Sequence, residues 1–92
     1  EEFLVLLPHT SEDNATQAVE KWLKDLKSKA VELLDGTYLN ISFSAGVASL
    51  PKRSGNQHYH DVNECVDAFL ELVDQRLYQA KDQGRSRVVG GR

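Results

Sequence analysis

Between Leu39 and Ala48 the chain alternates strictly, and one of the two faces carries only small or polar side chains. Leu39, Ile41, Phe43, Ala45 and Val47 fall on one side; Asn40, Ser42, Ser44, Gly46 and Ala48 fall on the other. A period of two marks a strand, here predicted over residues 38–50. Side chains as small as Ser44, Gly46 and Ala48 leave room for a close neighbour, either the backbone of a packed helix or a bound ligand. Any fold for this chain must lay something against that face.

Helical patterns flank the strand. Thr10-Ser11-Glu12-Asp13, a hydroxyl residue with a carboxylate three positions on, has the form of a helix N-cap, in which a side-chain oxygen satisfies an otherwise unpartnered backbone N–H. Ala15, Ala18, Val19, Trp22, Leu23, Leu26, Ala30, Leu33 and Leu34 then recur at steps of three and four. That spacing predicts one helix of about 20 residues with Trp22 on its core stripe, stopped at Asp35-Gly36. A second cap at Asp61–Glu64 opens another stripe through Val62, Cys65, Val66, Phe69, Leu70, Val73, Leu77 and Ala80, ending at Gly84. Pro51 to His60 reads as a polar surface loop.

Two short runs complete the order. Phe3 to Leu7 is apolar without alternation, which predicts a strand buried on both faces and ended by Pro8. Arg87-Val88-Val89 is a third candidate strand, and Gly90-Gly91-Arg92 reads as the start of a linker. The sum is β-α-β-α-β, an α/β layer with helices packed on a sheet, in one domain spanning residues 1–92.

Hydrophobic residues at 40% and charged residues at 27% of the 92 positions suit a small folded domain and exclude simple disorder. No apolar run approaches the ~18 residues of a membrane span. The single cysteine, Cys65, excludes an intramolecular disulfide and a cysteine zinc cluster, and its place on an apolar stripe reads as packing. Methionine is absent even at position 1, which predicts a piece of a longer protein.

Charge is unevenly spread. Residues 1–75 carry six Lys/Arg against thirteen Asp/Glu, a balance of −7, whereas residues 76–92 carry five against one, a balance of +4. An acidic body argues against binding a nucleic-acid polymer, which needs a broad basic face. A basic end leaves room for a local anion site. Lys81 in a last helical turn complements the negative end of the helix dipole, and Arg85 just past Gly84 could join it in a two-cation cradle for phosphate. Glu1 and Glu2 stand before the first strand, where a carboxylate suits a hard cation such as Mg²⁺; two solvated charges are the alternative. His58 and His60 lack a third ligand at metal spacing, and His9 has no visible partner.

Three segments together resemble one family. Glu1-Glu2-Phe3-Leu4-Val5-Leu6-Leu7-Pro8 is similar to the second half of the G-G-[D/E]-E-F signature and the strand after it. Ile41 to Ala48 (ISFSAGVA) resembles that family's V-T-V-S-I-G-V-A strand. Val73 to Val88 (VDQRLYQAKDQGRSRV) resembles its A-D-x-A-L-Y-x-A-K-x-x-G-R-N-x-V ending. The family is the GGDEF domain of diguanylate cyclases, and the resemblance covers the chain in order. It departs at Val73 and Arg76, each usually alanine at helix positions where size is adjustable, and at Ser86, usually asparagine.

The resemblance implies a nucleotidyl-cyclase or palm-like α+β fold, of which this chain is the C-terminal part. The upstream half and the two signature glycines lie outside it. It implies condensation of two GTP into cyclic di-GMP with loss of pyrophosphate, using Mg²⁺ or Mn²⁺, in a homodimer whose domains each hold one GTP. An upstream regulatory domain goes with it, as does a cytoplasmic location, including the cytoplasmic part of a membrane-anchored bacterial protein. Carried over by position, Glu1 binds the metal and helps deprotonate the attacking 3′-hydroxyl, Glu2 is an acidic neighbour at the same catalytic site, and Lys81 and Arg85 contact the phosphates. The 92 residues alone are expected to be inactive. The alternative is a degenerate GGDEF domain serving as nucleotide sensor or dimerisation module.

Overall fold

The computed structural model describes residues 2–50 and 62–91. In chain order the elements are α1 (Glu12–Lys27), β1 (Ala30–Glu32), β2 (Tyr38–Asn40), β3 (Ala45–Gly46), α2 (Val62–Asp82) and β4 (Val88–Val89). The mixed α/β class expected from the sequence is present, with two small sheets in place of one layer. β1 and β2 pair antiparallel, while β3 and β4 pair parallel with Ala45 opposite Val88 and Gly46 opposite Val89. The expected loop at 51–60, with His58 and His60, lies outside the described residues. Among the described residues no helix is long and apolar enough to cross a membrane.

α1 begins one residue later than the Thr10–Asp13 signature predicts: the Ser11 hydroxyl caps it, accepting from the Asn14 N–H at 3.1 Å, while the Thr10 hydroxyl donates to Pro8 O at 3.0 Å. Its end differs from expectation. The helix stops at Lys27, with the Ser28 hydroxyl donating to the Asp25 carbonyl at 2.7 Å. Ala30 therefore lies in β1, and Leu33 and Leu34 lie in a turn. The reason is local chemistry at Asp35-Gly36. Gly36 adopts φ +85°, the left-handed residue of a hairpin loop, and its N–H donates to Leu33 O at 3.0 Å. Asp35 accepts from the Thr37 hydroxyl at 2.6 Å and from the Thr37 N–H at 2.9 Å. Those two bonds, the hydroxyl first, hold the Asp35 carboxyl below its ordinary pKa. Asp-Gly thus joins β1 to β2 instead of ending a helix.

The 38–50 strand is correspondingly divided into β2 and β3, and the expected N-terminal strand is absent. Residues 2–7 belong to no helix or strand, with Phe3 85% and Leu6 70% exposed. A strand exists only by pairing its N–H and C=O groups with a neighbour, and among the described residues none lies alongside this run. Trp22, expected in the core, is 43% exposed. Cys65 is free and half-buried. The core is small: Ala15, Thr16, Leu23, Val47 and Ala80 are buried where α1, α2 and the β3–β4 pair meet.

Two features close that core. A Cβ on Gly46 would lie 2.4 Å from Leu77 N and 2.5 Å from Val73 O, so the backbone of α2 rests directly on β3. Of the two neighbours expected on the small face, the helix is the one observed. The second feature is Arg76, whose guanidinium reaches Glu12 at the start of α1 and also donates to Val47 O at 2.6 Å. Glu12 further accepts from the Ser49 hydroxyl at 3.5 Å. Position 76 is a cross-link of three elements, contrary to the expectation that its size is adjustable.

With the two side chains only 17% and 29% exposed, Arg76→Ala leaves a part-buried carboxylate and a carbonyl without their donor. The variant is expected to lose about 2 kcal/mol of stability, read as a shift in urea midpoint. Wild-type unfolding would mean the pair only decorates the surface.

Candidate functional site

α2 ends in a capping motif that presents two cations. The Gly84 N–H donates to Lys81 O at 3.4 Å, and the Arg85 N–H reaches back to Ala80 O at 2.9 Å. This pairing of the last carbonyls is the Schellman arrangement, and Gly84 supplies its required conformation with φ +120°. Arg85 and Ser86 also sit in the left-handed region, at φ 62° and 52°. Ala80, fully buried, anchors the last turn against the core. The local sequence explains each step: an apolar residue pins the helix, glycine stops it, and a cation stands on either side of the stop.

Lys81 points at the other end of the chain. Its Nζ lies 3.2 Å from Glu2 Oε2, with the two side chains 38% and 64% exposed. The structure therefore brings Glu2 and Lys81 together across 79 positions of sequence. Arg85 is exposed, and among the described residues its guanidinium has no hydrogen-bonding or ion-pair partner. Its carbonyl accepts from Arg87 Nε at 3.2 Å. Glu1, expected as metal ligand and base, lies outside the described residues. No group of three or more His, Cys, Asp or Glu able to hold a metal occurs among the described residues. Glu2 is a hard oxygen donor of the kind Mg²⁺ prefers, and it stands at the same end as the two cations.

Such an arrangement can receive an anion: Lys81 as a point charge, Arg85 through a planar fork with its donors free. Because Lys81 already donates to Glu2, an incoming phosphate would compete with one carboxylate for it. Sequence reasoning missed the support beneath Arg85, where Ser44 Oγ accepts from the Ser86 N–H at 3.0 Å. The usual asparagine at position 86 is a signal that could have exposed it, since asparagine tolerates the left-handed region.

Comparison with known proteins decides the family. The family described as "Diguanylate cyclase, GGDEF domain" matches residues 1–87. The chain belongs to the GGDEF family. Relatives of this GGDEF chain include diguanylate cyclase A of Treponema denticola, 33% identical over 89 residues, which are 97% of this chain and 21% of that protein. Diguanylate cyclase DgcM of Escherichia coli K12 is 33% identical over 97% of this chain and 18% of its own length. An uncharacterised protein of Bacillus subtilis, YhcK, is 35% identical over 96% of this chain and 22% of its own. The GGDEF chain thus spans about a fifth of the length of these three relatives. No solved structure matches it.

Proposed function

We propose that the chain is the C-terminal part of a catalytic diguanylate cyclase domain within a longer cytoplasmic or membrane-anchored bacterial protein. In that protein two such domains, each holding one GTP, face each other. The 3′-hydroxyl oxygen of one GTP attacks the α-phosphorus of the other, the bond to the β-phosphate oxygen breaks, and pyrophosphate leaves. Repeating the step from the second GTP closes cyclic di-GMP and releases a second pyrophosphate.

The observation that carries this reading is the pairing of Glu2 with Lys81 in the last turn of α2, four residues before the exposed Arg85. Lys81 and Arg85 would grip the phosphates equally in bound GTP and in the transition state, holding the substrate in place. Glu1 would hold Mg²⁺ or Mn²⁺ with Glu2 as its acidic neighbour, and Glu1 would take the proton from the attacking hydroxyl. The metal, when bound, supplies charge neutralisation at the phosphate oxygens.

The test is pyrophosphate release and cyclic di-GMP formation from GTP by the full-length protein. Lys81→Ala is expected to raise KM for GTP about tenfold with little change in kcat, the loss of one charge-assisted contact. An active wild type whose Lys81→Ala form keeps its KM would remove Lys81 from the site. A full-length protein that binds GTP without releasing pyrophosphate would be a sensor instead.

A further inference from the structure

Three successive residues after α2, Gly84, Arg85 and Ser86, hold φ values of 120°, 62° and 52°. Only the first is glycine. A left-handed arginine followed by a left-handed serine is an unfavourable pair for residues with a Cβ, about 1 kcal/mol or more each. Such a conformation persists only where surrounding contacts determine it, and it points toward function when they do.

The contacts are specific. From below, Ser44 on the segment leading into β3 accepts the Ser86 N–H at 3.0 Å. From the side, Arg87 Nε donates to the Arg85 carbonyl at 3.2 Å. From behind, Ala80 O takes the Arg85 N–H at 2.9 Å. The Arg85 N–H, the Arg85 carbonyl and the following N–H are all tied, while the guanidinium has no partner among the described residues. Ser86 Oγ is itself buried without a partner among the described residues. The backbone N–H of residue 86 is therefore the group that matters there, and its acceptor is Ser44.

We infer that Ser44 is a positioning residue for the anion site: by holding the Ser86 N–H it keeps Arg85 in its left-handed posture, with the guanidinium presented beside Lys81 to the phosphates of a nucleoside triphosphate. The inference rests on the function proposed above and adds a residue that itself touches no ligand. It also gives the small-residue strand face a second role. Gly46 admits the helix, while Ser44, on the same face, grips the loop beyond that helix.

The test is a double-mutant cycle on the full-length protein, with inorganic tripolyphosphate as probe and titration calorimetry as readout. Arg85→Ala is expected to weaken binding about tenfold, equivalent to about 1.4 kcal/mol. Ser44→Ala is expected to weaken it about fivefold, yet to add nothing in the Arg85→Ala background, because it acts through that side chain. A purely structural serine would weaken binding in both backgrounds, and that result overturns the inference. So does a Ser44→Ala form that binds like wild type while Arg85→Ala does not. Ser86→Asn provides an arm independent of folding: asparagine holds the left-handed region itself, so Ser44→Ala with Ser86→Asn should bind within about twofold of wild type. Failure of that rescue also overturns the inference. If Arg85→Ala alone has no effect, the anion cradle and the function built on it fall together.

Discussion

Gly46→Ala is expected to remove a third or more of this domain's stability. The added methyl would sit 2.4 Å from Leu77 N, 2.5 Å from Val73 O and 2.9 Å from the Arg76 carbonyl carbon. All three are backbone atoms of α2, so no rotamer change can clear the space. The helix must back away from β3, and the buried contacts of Ala80 and Val47 loosen with it. Overpacking of this kind costs about 3 kcal/mol. A domain of 92 residues has only about 5 to 10 kcal/mol of stability in all. Circular dichroism during urea titration should show a midpoint lowered by a third or more. An unshifted midpoint would mean that α2 does not rest on Gly46.

The second large effect is chemical. In the full-length protein Glu1→Gln should lower pyrophosphate release by at least about a hundredfold, in keeping with the loss of a proton acceptor. Glutamine has the size of glutamate but neither its charge nor its basicity. Melting temperature should therefore hold steady while turnover disappears, and added Mn²⁺ should fail to restore it. Lys81→Ala would behave differently, with its loss concentrated in KM. A Glu1→Gln protein that turns over GTP at the wild-type rate would leave the acidic end of the site without a role.

Much of the scaffold was legible in local pattern. The start of α1 to within one residue, the long stripe of α2, its stop at Gly84 and the short β4 all stand where periodicity and capping chemistry put them. The differences have separate physical causes. Ala30, Leu33 and Leu34 continue a helical spacing, yet the Asp35-Gly36 turn gives the same residues a hairpin, and three positions of spacing cannot outweigh it. Phe3 to Leu7 has strand composition, but pairing depends on a neighbour that composition does not name. Trp22 lay on the right stripe at its half-exposed margin.

For the site, the resemblance supplied Glu1, Glu2, Lys81 and Arg85 by motif, and the family match supports the motif. What no spacing could supply were the contacts. Glu2 meets Lys81 over 79 positions, Arg76 meets Glu12 over 64, and Ser86 meets Ser44 over 42. Each depends on how helices and strands stack, which is the part of folding that a one-dimensional pattern carries least.

The shared helix stop has a consequence for how such a site can vary. Lys81 and Arg85 flank Gly84 in one capping motif, so the number of residues between them is itself the spacing of the two charges. One residue inserted before the glycine would turn everything beyond it by about 100° around the helix axis. Arg85 would then swing to another flank of the molecule, away from its companion. Evolution can retouch the surrounding surface by substitution, but along these few positions the chain behaves like a toothed wheel, tolerant of changes in material and intolerant of an extra tooth.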